Sequence, residues 1–427
     1  MNRSYNLIVL ALFALTVHAE KRDSLCHWGA AVDYTYGSAL VIDKYQRLWQ
    51  KGTSNSAVDF RLIRATMPSD VDDFSADYGY PTLAIGAKWS FNHGVTTHKD
   101  KEFWGEKQAA LKEVDYDSKM GNIISLYGRF TRPFYRSNRW EFDYSLDLGV
   151  GWSHHKYNKE NAIDNELIGS RWLIYIGGGL HATYHIAKDW GVMLGVDYYH
   201  HSNGAMNRPN KGANIFGPTA GLVYQPYYEQ SIPQHPIVRK PFDKHFFLNV
   251  AAAVGMRTIM EEWQITQFQT NPDQPDYRTD HFDHYVTYAF NADLMYRYAR
   301  RWASGVGVDL FYDTYCDRVE EIARQRGDDS HISPVSVGIS AKHEAFFGPL
   351  SFQGSVGYYL YRHMGKWAVD LEGNIYERVG VSYQFRGLGG LKLGFAVKAH
   401  ETKADHTELV ISYPTTIFNR KTRKNSK

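Results

Sequence analysis

The chain has 427 residues, a formal charge of +2 at neutral pH, 36 glycines, 15% aromatic residues and two cysteines. The near-neutral balance gives no basis for nucleic-acid binding, and Cys26 with Cys316 cannot build a disulfide framework. Mean hydropathy is −0.46, and no run after the N-terminus is apolar for long enough to cross a bilayer as a helix, which excludes a helical membrane protein.

In chain order, residues 1–19 read as an export signal. Arg3 is basic, 7–17 is apolar, and Val17-His18-Ala19 fits a small-residue cleavage site, so the mature chain is expected to start near Glu20. Cys26 lacks a lipoprotein box and is not read as an acylation site. Strands are expected near 28–40, 57–65, 83–91, 124–131, 142–153, 172–186 and 190–202, with an eighth from Asn214. The fifth is the most regular. Phe142, Tyr144, Leu146, Leu148 and Val150 alternate with Asp143, Ser145, Asp147 and Gly149. Acids on the inner face suit a small barrel with a hydrogen-bonded polar interior; in a soluble sandwich the same acids would face water.

Loop lengths add direction. The connections at 92–121 and 156–170 are long, those at 133–139 and 187–190 are short, and only 67–78 breaks the alternation. Residues 229–242 hold Pro233, Pro236 and Pro241 and read as a linker. The pattern then repeats near 246–256, 285–298, 302–315, 334–346, 350–363, 375–385, 391–401 and 406–413, with 416–427 as a basic tail. An exported chain built this way fits an all-β transmembrane antiparallel barrel of an outer membrane. The expected organisation is two tandem eight-stranded barrels, over 20–228 and 243–415; the alternative is one barrel of about sixteen strands. Pairing of 28–40 with 214–227 would give two barrels, and pairing with 406–413 would give one.

Chemistry concentrates at 200–214. On the seventh strand, Val192, Leu194, Val196, Tyr198, His200 and Ser202 share a face. A histidine and a serine two residues apart on one face supply a base and a nucleophile. A hairpin through Pro209-Asn210-Lys211-Gly212 would set Asn214 beside His200, as a group that orients the ring. His201 falls on the inner face with Tyr199 and Asp197, as part of a lumen network. His154-His155 read as solvated loop residues, since adjacent strand positions point to opposite faces, and Asp276, Asp280 and Asp283 read as a solvated acidic loop. The second half carries His400 on the opposite face with no serine after it, hence no copy of the site.

His200-x-Ser202-Asn203 followed by Pro209-Asn210-x-Gly212 resembles the lipid A 3-O-deacylase and acyloxyacyl hydrolase family of outer-membrane barrels. The resemblance covers 28–228 well and the second half loosely. In that family the third member, twelve residues after the serine, is a glutamate; here it is Asn214, which makes the site similar also to outer-membrane phospholipase A with its Ser-His-Asn triad. The resemblance implies hydrolysis of an acyl ester of lipid A in the outer leaflet, with Ser202 attacking, His200 as base, Asn214 holding the ring, and Asn203 or the nearby amides at Gly204 stabilising the oxyanion. No metal is expected at the site and no cofactor, with calcium entering only under the phospholipase alternative. The remaining alternative is a non-catalytic barrel or pore with a relic site.

Overall fold

The computed structural model describes residues 26–42, 44–70, 72–100, 113–328, 331–401 and 403–419. The expected signal segment lies outside them.

Strands β1 (Trp28–Ala39), β2 (Gln50–Ala65), β3 (Thr82–Thr97), β5 (Ile123–Arg136), β6 (Trp140–Ser153), β7 (Trp172–His185), β8 (Trp190–Ser202) and β9 (Ala213–Tyr224) pair in succession, with a two-residue β4 (Ser118–Lys119) at the rim. β9 closes on β1, with Val32 opposite Leu222 and Tyr34 opposite Ala220. A second closed barrel contains β10 (His245–Arg257), β11 (Tyr285–Ala299), β12 (Trp302–Asp313), β13 (Val335–Phe347), β14 (Leu350–Arg362), β15 (Ile375–Phe385), β16 (Leu391–His400) and β17 (Lys403–Asn419). The chain is therefore two tandem eight-stranded barrels, and the wide single barrel is ruled out by the β1–β9 pairing.

The faces are inverted relative to a soluble protein. Ile85, Leu126, Leu146, Leu180, Leu194, Val306 and Val379 are exposed on the outside, while Lys88, Arg129, Asp143, Asp147, Asp197, Asp309 and Glu408 are buried inside. Covering one such aliphatic side chain is worth about 1.5–3 kcal/mol, so a wall of them in water would cost more than a domain's whole net stability. Hydrocarbon lipid removes that cost, and the interior charges find each other. Arg129 makes two bonds to Asp147 at 2.7 Å, and His181 bridges Asp143 and Asp197 at 3.0 Å each. In the second barrel Lys342 bonds Asp309 at 2.9 Å, and Tyr376 donates to Asp309 at 2.6 Å.

Several expected boundaries shift. β2 starts at Gln50 rather than residue 57, because its polar first turns stand beyond the apolar belt. β17 runs to Asn419, so the basic tail expected from 416 begins inside a strand. Short helices occupy the loops: α1 (Lys44–Trp49), α2 (Asp73–Asp77), α3 (Tyr228–Ser231), α4 (Met260–Phe268), α5 (Cys316–Gln325) and α6 (Gly365–Glu372). α2 lies in the 67–78 connection, the one that breaks the alternation of loop lengths. Its Asp73 and Asp77 pair with Arg300 of the second barrel at 3.2 and 3.1 Å, and the next residue, Tyr78, donates to the Phe346 carbonyl at 2.8 Å.

Candidate active site

β8 and β9 place the site. His200 stands directly opposite Asn214 across the hairpin, and Ser202 stands opposite Ile174 of β7. His200 and Ser202 are half-buried on the outer face, between the exposed Tyr198 and the loop that begins at Asn203. His200 Nδ1 lies 2.8 Å from Asn214 Oδ1, and the Tyr198 hydroxyl donates to the same oxygen at 2.7 Å. With the amide oxygen taking both bonds, Nδ1 carries the imidazole proton and Nε2 is left as the basic nitrogen. Ser202 is on the same face, but among the described residues its hydroxyl makes no hydrogen bond, so the expected Ser202–His200 contact is not closed. Resting catalytic bonds are commonly loose and tighten around substrate.

The loop 203–212 explains the motif residue by residue. Asn210 Oδ1 accepts the Asn203 backbone N–H at 2.8 Å, so that amide is already spent. The Asn203 side chain is fully buried, and its Nδ2 has no hydrogen-bond partner. An orphaned buried donor costs about 1–3 kcal/mol, and this one belongs to the residue that follows Ser202 in the chain. Gly204 adopts φ +59°, and its own N–H makes no bond among the described residues. Gly212, at φ +74°, lets the His200 ring pack closely against the turn, since a Cβ there would fall 2.6 Å from His200 Cε1. The Gly212 and Lys211 amides donate to the Leu167 and Glu166 carbonyls at 3.0 and 3.1 Å, which ties the loop to the 154–171 connection.

Two family models match the chain. Residues 80–222, which hold the whole site, match the model described as lipid A 3-O-deacylase (PagL). Residues 246–417, nearly the whole second barrel, match the model described as acyloxyacyl hydrolase, C-terminal domain. The chain belongs to the lipid A 3-O-deacylase family. As a member it is an outer-membrane ester hydrolase of lipid A acyl esters. No curated protein matches it. Among solved structures it is similar to the outer membrane enzyme PagL at 13% identity, over 45% of this chain and 97% of that one, TM-score 0.26. It is also similar to a COG4313 outer membrane channel from Pseudomonas putida F1 at 9% identity, over 94% and 100%, TM-score 0.20. Superpositions that loose carry no weight, and the fold rests on the strand pairing.

The other candidate residues of this deacylase-family chain fall where their strand parity puts them. His201 is buried in the first lumen, 2.8 Å from Ser125 Oγ. His154 and His155 are exposed at the rim. Asp280 is paired with Lys156 at 3.1 Å. Two partners were not singled out by sequence. Tyr198 was visible only as one more residue on the His200 face, and Asn210 only as a turn residue.

Proposed function

We propose that the chain cleaves a lipid A acyl ester with Ser202, His200 and Asn214, and that Asn203 supplies the oxyanion donor together with the Gly204 amide. The observation that carries this reading is the 2.8 Å contact of His200 Nδ1 with Asn214 Oδ1, on the same rim face as Ser202. In the first half-reaction His200 Nε2 takes the Ser202 proton as Oγ bonds to the acyl carbonyl carbon. Charge gathers on the carbonyl oxygen, where the Asn203 Nδ2–H and Gly204 N–H answer it. Collapse breaks the ester bond, and the imidazolium returns its proton to the departing sugar oxygen. Water, activated by the same histidine, then frees the fatty acid and restores Ser202.

Position supports the substrate class. The pair faces outward at the extracellular end of β8, where a polar group can sit without entering hydrocarbon and where acyl esters of the outer leaflet lie. The reading uses no metal ion. The test is mass spectrometry of lipid A and phospholipids from cells expressing the chain or its Ser202→Ala variant, repeated on purified protein in EDTA. Loss of one acyl chain from lipid A, abolished by Ser202→Ala and unaffected by EDTA, is the expected result. Deacylated phospholipid with intact lipid A, or a calcium requirement, would move the assignment to a phospholipase; unchanged activity in Ser202→Ala would remove the triad.

A further inference from the structure

The second barrel holds no copy of the site, yet its extracellular end is bonded to the loop that carries the oxyanion donors. Thr407, on the outer face of β17, donates its hydroxyl to the Gly204 carbonyl at 3.0 Å. Thr258, just beyond β10, donates both its backbone N–H at 3.0 Å and its hydroxyl at 3.2 Å to the Ala205 carbonyl. Arg208 returns a bond from the loop to the Thr258 carbonyl at 3.0 Å. The fit is close, because a Cβ on Gly204 would collide with the Thr407 hydroxyl and come within 3.0 Å of Ile174, the cross-strand partner of Ser202.

The backbone there is not one the chain adopts unaided. Gly204 and Ala205 have φ of +59° and +63°, and Ala205 is a non-glycine residue in the left-handed region. That conformation is costly and persists only where its surroundings over-determine it. The carbonyls of these same two residues receive three hydrogen bonds from the second barrel, which together are of the same order as the cost. Released from them, the loop would relax, and the Asn203 side chain and Gly204 N–H, carried by the two residues after Ser202, would change direction.

We propose that the second barrel is a working part of the esterase: Thr407 and Thr258 are positioning residues that hold Gly204 and Ala205 so that the oxyanion donors face Ser202. The proposal rests on the assignment of Ser202 as nucleophile. It is tested on the full-length protein in detergent, with lipid A as substrate, comparing wild type, Thr407→Val/Thr258→Val, Thr407→Ser/Thr258→Ser and Ser202→Ala. The folded state of each is read by heat-modifiable gel migration. Valine keeps the shape and removes both hydroxyls; serine keeps them. We expect kcat to fall about tenfold in the valine pair with KM unchanged, and to recover in the serine pair. Should the valine pair not fold, Thr407→Val alone is read by the same criterion, with a fall of about threefold expected. Wild-type kcat in the folded valine variant, or a loss confined to KM, overturns the proposal while Ser202→Ala is inactive. Activity in Ser202→Ala fails the nucleophile assignment instead.

Discussion

Asn214 accepts two hydrogen bonds on one oxygen, from His200 and from Tyr198, and this sets what each substitution should do. The neutral amide orients the ring and selects its tautomer, but it offers the imidazolium no full charge. Asn214→Ala should therefore cost less than Ser202→Ala or His200→Ala, which remove the base–nucleophile unit and should each lose essentially all turnover. Asn214→Glu adds the charge that helps the imidazolium, so lipid A deacylation should persist or rise. Asn203→Ala should lower kcat by about 10²–10³, the loss typical of one oxyanion donor, with KM little changed. Steady-state kinetics on purified protein separates these outcomes, and a wild-type kcat in Asn203→Ala would take the oxyanion role from that side chain. The face shared by His200, Ser202 and Asn214 was legible in sequence because strand parity and one hairpin register suffice. The orphaned Asn203 amide was not, since nothing local tells whether a buried donor finds a partner.

At the scale of elements, alternation carried nearly every strand, because lipid outside and ion pairs inside punish any slip of register by one residue. What alternation missed lies beyond the belt. The first residues of β2 are mostly polar on both faces, and helices such as α4 are too short and too polar to show a helical stripe. The same inversion makes a prediction. Leu180 and Leu194 are 58% and 60% exposed on the outer face, midway along β7 and β8. Arginine there should destabilise the folded barrel by about 2–4 kcal/mol, because the charge must be held at membrane depth. Urea titration of the protein in lipid vesicles reads the loss. In a soluble protein the same exchange on an exposed face would be nearly neutral, so an unchanged midpoint would refute the lipid-facing assignment.

In the whole molecule the two barrels are joined at both ends. At one end, Arg278 of the second barrel reaches into the first barrel's long loop, donating to the Ile163 carbonyl at 2.8 Å and pairing with buried Asp164 at 2.6 Å, while Tyr157 donates to the Arg278 carbonyl at 2.7 Å. At the other end, the α2 acids meet Arg300. None of these partners could be read from sequence, since they join residues more than a hundred positions apart. The closure of each barrel separately also bears on the pore alternative. A barrel of eight strands leaves an interior narrow enough for side chains to fill or to hold one small ligand, not an open channel. Here Lys88, Arg129, Asp147, His181 and Asp197 lie inside the first, and Asp293, Asp309, Lys342, Arg378 and Glu408 cross the second, where they leave a cavity of about 60 Å³. An ion entering would have to separate buried partners, each costing several kcal/mol to leave unpaired. Purified protein reconstituted in planar bilayers should therefore show no stepwise conductance at neutral pH, in the same preparation that deacylates lipid A. Reproducible channel steps from active, folded protein would mean that one of these lumens opens, and the non-catalytic pore would return as a second activity of the chain.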